Sequence, residues 1–448
     1  MKSLFVYETG TPQRRNASQR HRVAVIGGGP AGSVAATTLA QRGISVVLLE
    51  RDKFPRFHIG ESLLPNGNYL LKKIGVWDKV AAAGFVEKRA GQFTLADGSR
   101  TMRNVFAKGM IKGLTKAYQV ERSRFDDILL RHAQEAGADV REETVVTKAV
   151  RSGDKWQVTV TSARRTESVE VQPMETLEVD WIIDASGRDS FMGRALKLKK
   201  ASLPYPGRVA VFSHFKNMVR ETGERAGDTI ILRLRDAWVW VIPLSETLTS
   251  IGVVVQKSST RRRGESWEEL FWRKIAESSY MSACLEQATA VETYRVESDY
   301  SFSYENFGTE KVLLAGDAAS FIDPIFSSGV YLAVESGYQA ANRIADNLEG
   351  RLGARRPQKI YRDYTRLMKR QMGHMRQLID AYYDKDSFEV FMSPRPLLQL
   401  PGAVNSVLAG SLLPRFSIRW RLWLFQKICA LQKRYGLVPR IEWPDRTE

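Results

Sequence analysis

The sequence predicts an α/β fold whose doubly wound core is split along the chain, with a sheet-rich insertion and a helical C-terminal region. Three observations predict it. A strand-like run, Arg22 to Ile26, enters Gly27-Gly28-Gly29-Pro30-Ala31-Gly32, and a helical pattern and a second apolar strand follow. Far downstream another such run, Lys311 to Ala315, ends in Gly316-Asp317. Between them lie runs alternating at period two, such as Trp156 to Thr161, Thr229 to Leu234 and Ser250 to Val255, as half-buried strands do.

The first element is the most specific. The helical pattern spans Ser33 to Arg42, and Ile44 to Leu49 reads as a buried strand ending in Glu50. This strand–turn–helix–strand setting is the one a glycine motif needs to bind a dinucleotide in a Rossmann-like domain. Gly27 permits the tight turn, Gly29 lets backbone approach a pyrophosphate, and Gly32 allows close helix–strand packing. Phosphates would sit on the helix N-terminus, where free N–H groups and the dipole favour anions. Glu50, eighteen residues after Gly32, is placed to accept hydrogen bonds from a ribose. Alone, this element leaves FAD and NAD both open.

The second element narrows the choice. Gly316-Asp317-Ala318-Ala319 is followed by Asp323-Pro324 and by a Ser327-Ser328-Gly329 turn opening a helix from Val330. This resembles the second FAD fingerprint of the para-hydroxybenzoate hydroxylase-like fold. The resemblance implies that Asp317 accepts from the ribityl hydroxyls and that the next helix points its N-terminus at the flavin ring. Taken alone, Asp317 reads equally well as a helix cap; paired with the first motif, the flavin reading is favoured. Val120 to Asp126, ahead of a helix from Asp127 to Ala136, resembles the segment whose arginine, here Arg122, meets the cofactor. Trp181 to Gly187 resembles the strand-to-turn element that returns the chain to the nucleotide fold. The expected FAD-binding domain therefore comprises residues 21–84, 115–195 and 300–345.

The remainder divides into a substrate domain, residues 85–114 and 196–299, and a basic helical C-terminal region, residues 346–448. Residues 1–20 read as a disordered lead-in, without the apolar core of a signal peptide. At 448 residues, 43% hydrophobic and 26% charged, the composition is ordinary for a soluble protein with two linked substructures. Cys284 and Cys429 are too few for a disulfide framework and have no metal-ligand neighbours, so no metal is expected. No stretch approaches the roughly 20 apolar residues that span a bilayer, and a cytoplasmic location is expected.

The net charge of +17 is uneven: residues 351–448 hold 19 Lys and Arg against 8 Asp and Glu. That fits an acidic partner, not nucleic acid, since no nucleic-acid module accompanies it. Arg415 to Arg434 carries six basic residues and no acid, interleaved with Phe416, Trp420, Trp423 and Phe425. The favoured reading is a helix docked through its aromatics with cations outward; lying on a membrane surface is the less favoured one.

Two segments direct the chemistry. Trp238-Val239-Trp240-Val241-Ile242-Pro243 carries a Trp-x-Trp-x-Ile-Pro signature, and Gly60-Glu61-Ser62-Leu63-Leu64-Pro65 a Gly-Glu-Ser segment. Both resemble the flavin-dependent halogenases, over roughly residues 21–435. The resemblance implies that reduced flavin and O2 oxidise chloride or bromide to hypohalous acid, which travels to a lysine beside the substrate. Trp238 and Trp240 would keep organic substrate off the flavin, although alternating aromatics are also common in buried strands. Lys88, in Phe85-Val86-Glu87-Lys88, matches the family's lysine, whereas Lys72 and Lys73 do not. To act as a nucleophile it needs burial, which penalises the ammonium form. Ser328 and Gly329 offer N–H groups for the halide at a helix start.

One departure is informative. Tryptophan halogenases carry a glutamate in a Pro-x-Glu-Ser pattern; here Phe326 stands in its place, in Pro324-Ile325-Phe326-Ser327. The chain resembles the phenol and pyrrole branch instead, whose activated substrates react without that carboxylate. No NAD(P)H motif is visible, so a separate flavin reductase is expected, and the basic C-terminal fifth would suit an acidic carrier protein bearing the substrate. A flavin hydroxylase and a membrane-associated prenyl-lipid reductase of the same fold are the alternatives.

Overall fold

Five parallel strands and one antiparallel edge strand form the nucleotide sheet. Their order is Asp139–Arg141, Val46–Leu49, Val23–Ile26, Trp181–Asp184, Val312–Leu314 and Gly308–Thr309. The central strands are buried along their whole length, which is why they read as unbroken apolar runs. The split core thus closes in space: Val23 pairs with Val46 on one side and with Trp181 on the other, and Ile182 pairs with Val312. The structure, a computed structural model, describes residues 22–163, 174–201, 207–257, 262, 264–298, 301–351 and 357–442. The lead-in expected at residues 1–20 lies outside the described residues.

Two helix starts differ from expectation. The first helix is Pro30–Gln41, beginning at the proline whose fixed φ suits the first helical position, not at Ser33. The helix expected from Asp127 begins at Arg122, because the Arg122–Asp126 pair one turn apart belongs to its first turn.

The second large sheet runs Thr289–Ala290, Arg208–Lys216, Thr249–Gln256, Ala237–Pro243, Thr229–Arg233, Ala90–Leu95 and Thr101–Val105, and Arg295–Ser298 also pairs with Arg208–Lys216. Segments far apart in sequence meet here, with Gly91 in register with Thr229. Trp156–Thr161 is not part of it. That run lies in Lys155–Ser162, in a separate three-stranded sheet with Thr144–Ser152 and Glu175–Val179.

Both faces of the large sheet are covered. On one face Val239, Val241 and Val253 pack with Leu270, Phe271 and Ile275 of the helix Trp267–Ala276. On the other, Trp238, Trp240 and Ile242 join the core shared with the nucleotide domain. Period-two alternation therefore separates two cores, not core from water.

The helices Gly329–Leu348 and Pro357–Tyr383 follow. The first crosses Pro30–Gln41 so closely that a Cβ on Gly337 would lie 2.1 Å from the Ala31 carbonyl oxygen. The helix Phe416–Tyr435 docks through Ile418, Leu422, Phe425, Cys429 and Gln432. This corrects the expectation that its aromatics form the docking face. Phe425 does, but Phe416 and Trp423 are 77% and 57% exposed. Both cysteines are buried and unpaired, and no described helix is long and apolar enough to cross a membrane.

Candidate active site

The two sheets enclose a cavity of about 540 Å³, lined by both nucleotide motifs and by the large sheet. Its floor is the glycine turn. Gly27 has φ of +103°, and a Cβ there would lie 2.4 Å from the Ala185 carbonyl oxygen. A Cβ on Gly32 would lie 1.8 Å from the Gly27 carbonyl oxygen, so helix and turn touch through backbone. Gly29 lines the cavity, with only the Arg56 guanidinium near its would-be side chain. Glu50 is buried at the end of its strand; its carboxylate accepts from the Gly28 N–H at 2.5 Å and the Asp52 N–H at 2.8 Å. Those bonds fix its aim and leave lone pairs for a ligand.

Opposite the turn, Gly316 (φ +60°) and Asp317 also line the cavity. Burial pushes the Asp317 carboxyl up to about 6, against the pull of Arg122 and Arg188. Its carboxylate makes no hydrogen bond among the described residues, an acceptor set awaiting donors. Arg122 is buried and held in place: Nε and Nη2 donate to Asp126 at 2.7 and 2.8 Å, and Nη1 donates to the Ile59 carbonyl at 2.7 Å. A glycine turn with no room for a Cβ at Gly27 or Gly32, facing an unpartnered carboxylate across an apolar chamber, fits a dinucleotide with a polyol chain.

Trp238 and Trp240 form part of the far wall, their rings 6.0 Å apart and both buried. Trp240 Nε1 donates to Ser250 Oγ at 3.2 Å, while Trp238 Nε1 has no partner. Room for Trp240 comes from Gly252, its cross-strand partner, where a Cβ would lie 2.2 Å from the ring. Gly252→Val should therefore cost about 1–3 kcal/mol by overpacking. Thermal unfolding checks this: the midpoint should fall, and the cavity tryptophan fluorescence should change with it.

The residues expected to cradle an anion lie at the start of Gly329–Leu348. Ser327 turns the chain with φ of +58°, and Ser328 is the N-cap residue. Gly329 lines the cavity with open space on its Cβ side. The Ser328 side chain is buried, and its Oγ has no partner among the described residues. First-turn N–H groups lack intrahelical acceptors, so this end favours an anion. Just before it, Phe326 points away into an aromatic cluster with Phe93, Tyr382 and Phe391. The turn itself is clamped from behind: buried Asp323 pairs with Arg208 at 2.7 Å and accepts from Tyr383 Oη at 2.9 Å.

Lys88 lies one side chain behind the wall. It is 2% exposed, at the end of the strand Val86–Lys88, and Nζ donates to Ser62 Oγ at 2.8 Å. Ser62 lines the cavity and also meets Thr229 Oγ1 at 2.9 Å. Burial lowers the Lys88 ammonium to about 7, only partly opposed by Asp228, whose charge Arg103 already engages at 2.6 Å. Burial thus favours the free amine over the ammonium. Lys72 and Lys73 are exposed.

Several residues at the site carry no readable signal in the sequence. Arg208, Gly252 and His214 act through contacts with residues far away in sequence or on a neighbouring strand. Among the described residues, no group of three or more His, Cys, Asp or Glu side chains is arranged to hold a metal.

The family described as FAD binding domain matches residues 20–369. A Pseudomonas fluorescens protein, 1H-pyrrole-2-carbonyl-[peptidyl-carrier protein] chlorinase, is 33% identical over 346 residues, covering 72% of this chain and 75% of that protein. A solved flavoprotein/dehydrogenase from Cytophaga hutchinsonii is similar with a TM-score of 0.83 and 28% identity, covering 93% of this chain and all of the other. The myxobacterial chondrochloren halogenase, a solved FAD-dependent halogenase, is similar with a TM-score of 0.74 and 31% identity, covering 94% of this chain and 98% of the other.

Proposed function

Since the chain belongs to the flavin-dependent halogenases, an FAD-binding family of oxidoreductases, we propose that it transfers chloride or bromide to a phenol or pyrrole by way of Lys88. Bound FAD, once reduced, supplies the activation of O2 that oxidises a halide. The chain's own residues do the rest. Gly27, Gly29, Gly32 and Glu50 hold the dinucleotide end, while Arg122, Gly316 and Asp317 hold the flavin end. Ser328 and Gly329 offer N–H groups to the halide. Trp238 and Trp240 exclude organic substrate from the cavity. The free Lys88 amine receives the oxidised halogen in one of two ways. Either an N–X bond forms with loss of water from hypohalous acid, or the amine holds that acid by a hydrogen bond. The single observation carrying this reading is a buried amine one hydroxyl away from a tryptophan-walled cavity.

Phe326 supports an activated substrate, because the turn offers no carboxylate to a less reactive ring. A substrate tethered to an acidic carrier is supported from two sides. The chlorinase relative is named for a pyrrole on a peptidyl-carrier protein. In this chain the exposed Arg415, Arg419, Lys427, Lys433 and Arg434 have no carboxylate partner among the described residues and flank exposed Phe416 and Trp423. A cationic face with aromatic anchors suits an acidic protein partner. Reduced flavin would come from a separate reductase, in the cytoplasm.

The test is incubation with FAD, a flavin reductase, NADH and bromide, using a panel of phenols and pyrroles both free and carrier-tethered, read by mass spectrometry. Brominated phenol or pyrrole, formed faster on the tethered form and slowed by salt, is expected. Oxygenated product without halide, or saturation of a prenyl chain on vesicles, would overturn the reading.

A further inference from the structure

Glu61 stands on the cavity wall beside Ser62, yet the shielding, halide and lysine roles leave it unused. Its side chain is 2% exposed. Oε1 lies 2.7 Å from His214 Nε2, while Oε2 is buried with no hydrogen-bond partner among the described residues. The backbone on either side is pinned: the Glu61 carbonyl accepts from the Val120 N–H at 2.7 Å, and the Gly60 carbonyl accepts from Arg122. The free oxygen therefore has a fixed aim.

His214, on Arg208–Lys216, is held in turn. Burial alone would lower its imidazole, but the hydrogen bond and charge of Glu61, with Glu292 at 3.7 Å from Nδ1, raise it despite Arg295. His214 thus commits one carboxyl oxygen of Glu61 and leaves the other open. A buried carboxylate oxygen left without a donor is costly, and one that gains a donor makes a charge-assisted hydrogen bond.

We propose that Glu61 is a further ligand-binding residue, its Oε2 accepting a hydrogen bond from a ring N–H of the bound flavin, with His214 as its positioning residue. The reduced ring carries an N–H that the oxidised ring lacks, so this acceptor favours reduced FAD over oxidised. The inference rests on FAD filling the cavity and adds a residue and a redox preference to that reading.

Anaerobic titration of the full-length protein with oxidised and reduced FAD, together with the midpoint potential of the bound flavin, tests it. Glu61→Gln should weaken reduced FAD about tenfold or more, the loss expected of a hydrogen bond to a charged group. Oxidised FAD should weaken less, and the potential should fall. His214→Leu should act in the same direction, whereas His214→Gln, whose amide still donates to Oε1, should restore most of the preference. Unchanged affinities and potential in Glu61→Gln would overturn the inference, as would a His214→Gln variant as impaired as His214→Leu. A wild-type chain that binds neither form of FAD would overturn the flavin reading itself, a result distinct from both.

Discussion

Lys88→Met should remove halogenation while FAD binding and flavin reoxidation continue, with product formation falling by about 10²- to 10⁴-fold, the range for a side chain acting directly in catalysis. Methionine keeps much of the apolar stem but lacks the amine, so it can neither form an N–X bond nor donate to Ser62 Oγ, now 2.8 Å from Nζ. Lys88→Arg should fail as fully, because guanidinium stays charged. A pH signature accompanies the loss. The folded-state ammonium is lowered to about 7 by burial, while in the unfolded chain it keeps its proton to about 10.5. Between those values the unfolded state binds more protons, so this site's contribution to stability rises with pH across that window. It is lost as pH falls towards 7. Denaturant melts of wild type and Lys88→Met should therefore diverge with pH, the wild type gaining relative stability from pH 7 upward. A constant difference between the two would mean that Lys88 is charged in the fold.

Gly32→Ala should abolish FAD binding. The added Cβ would sit 1.8 Å from the Gly27 carbonyl oxygen and 3.0 Å from its carbon, both backbone atoms that cannot swing aside. The helix must move off the turn, and the N–H groups at its start move with it. Protein purified from this variant should lack the yellow of bound flavin and show at least a hundredfold weaker FAD affinity. Its loss of stability should be about 1–3 kcal/mol, typical of overpacking. Retention of stoichiometric flavin would contradict the cradle.

These effects were legible in the sequence to different depths. The glycine turn was fully so, because Gly27, Gly32 and Glu50 lie within one strand–helix–strand unit and local spacing encodes their geometry. Gly316-Asp317 completed the cavity, since the strand before it pairs directly with Trp181–Asp184. Lys88 and the tryptophans were reached only through resemblance. Nothing in Phe85 to Arg89 says that Lys88 is buried while Glu87 and Arg89 face outward, because a three-residue strand is too short for a clear period. Gly252 was invisible, since its reason for being glycine is Trp240 on the neighbouring strand. Glu61 and His214 are 153 residues apart and meet only once the inserted sheet closes over the nucleotide domain. The C-terminal helix departs from expectation for a different reason. Its apolar spacing, Ile418, Leu422, Phe425 and Cys429, already marked the docking stripe and put Phe416 and Trp423 outside it. The helical period, not the number of aromatics, sets which side chains dock.

The most direct test of the central claim compares wild type and Lys88→Met, each loaded with FAD and supplied with a reductase and NADH, with and without bromide, on the best substrate of the panel. Halogen transfer through Lys88 predicts a product with bromine's isotope doublet only in wild type and only with bromide, while both proteins consume NADH at similar rates. An oxygenated product formed without bromide, at equal yield in the two proteins, would contradict it.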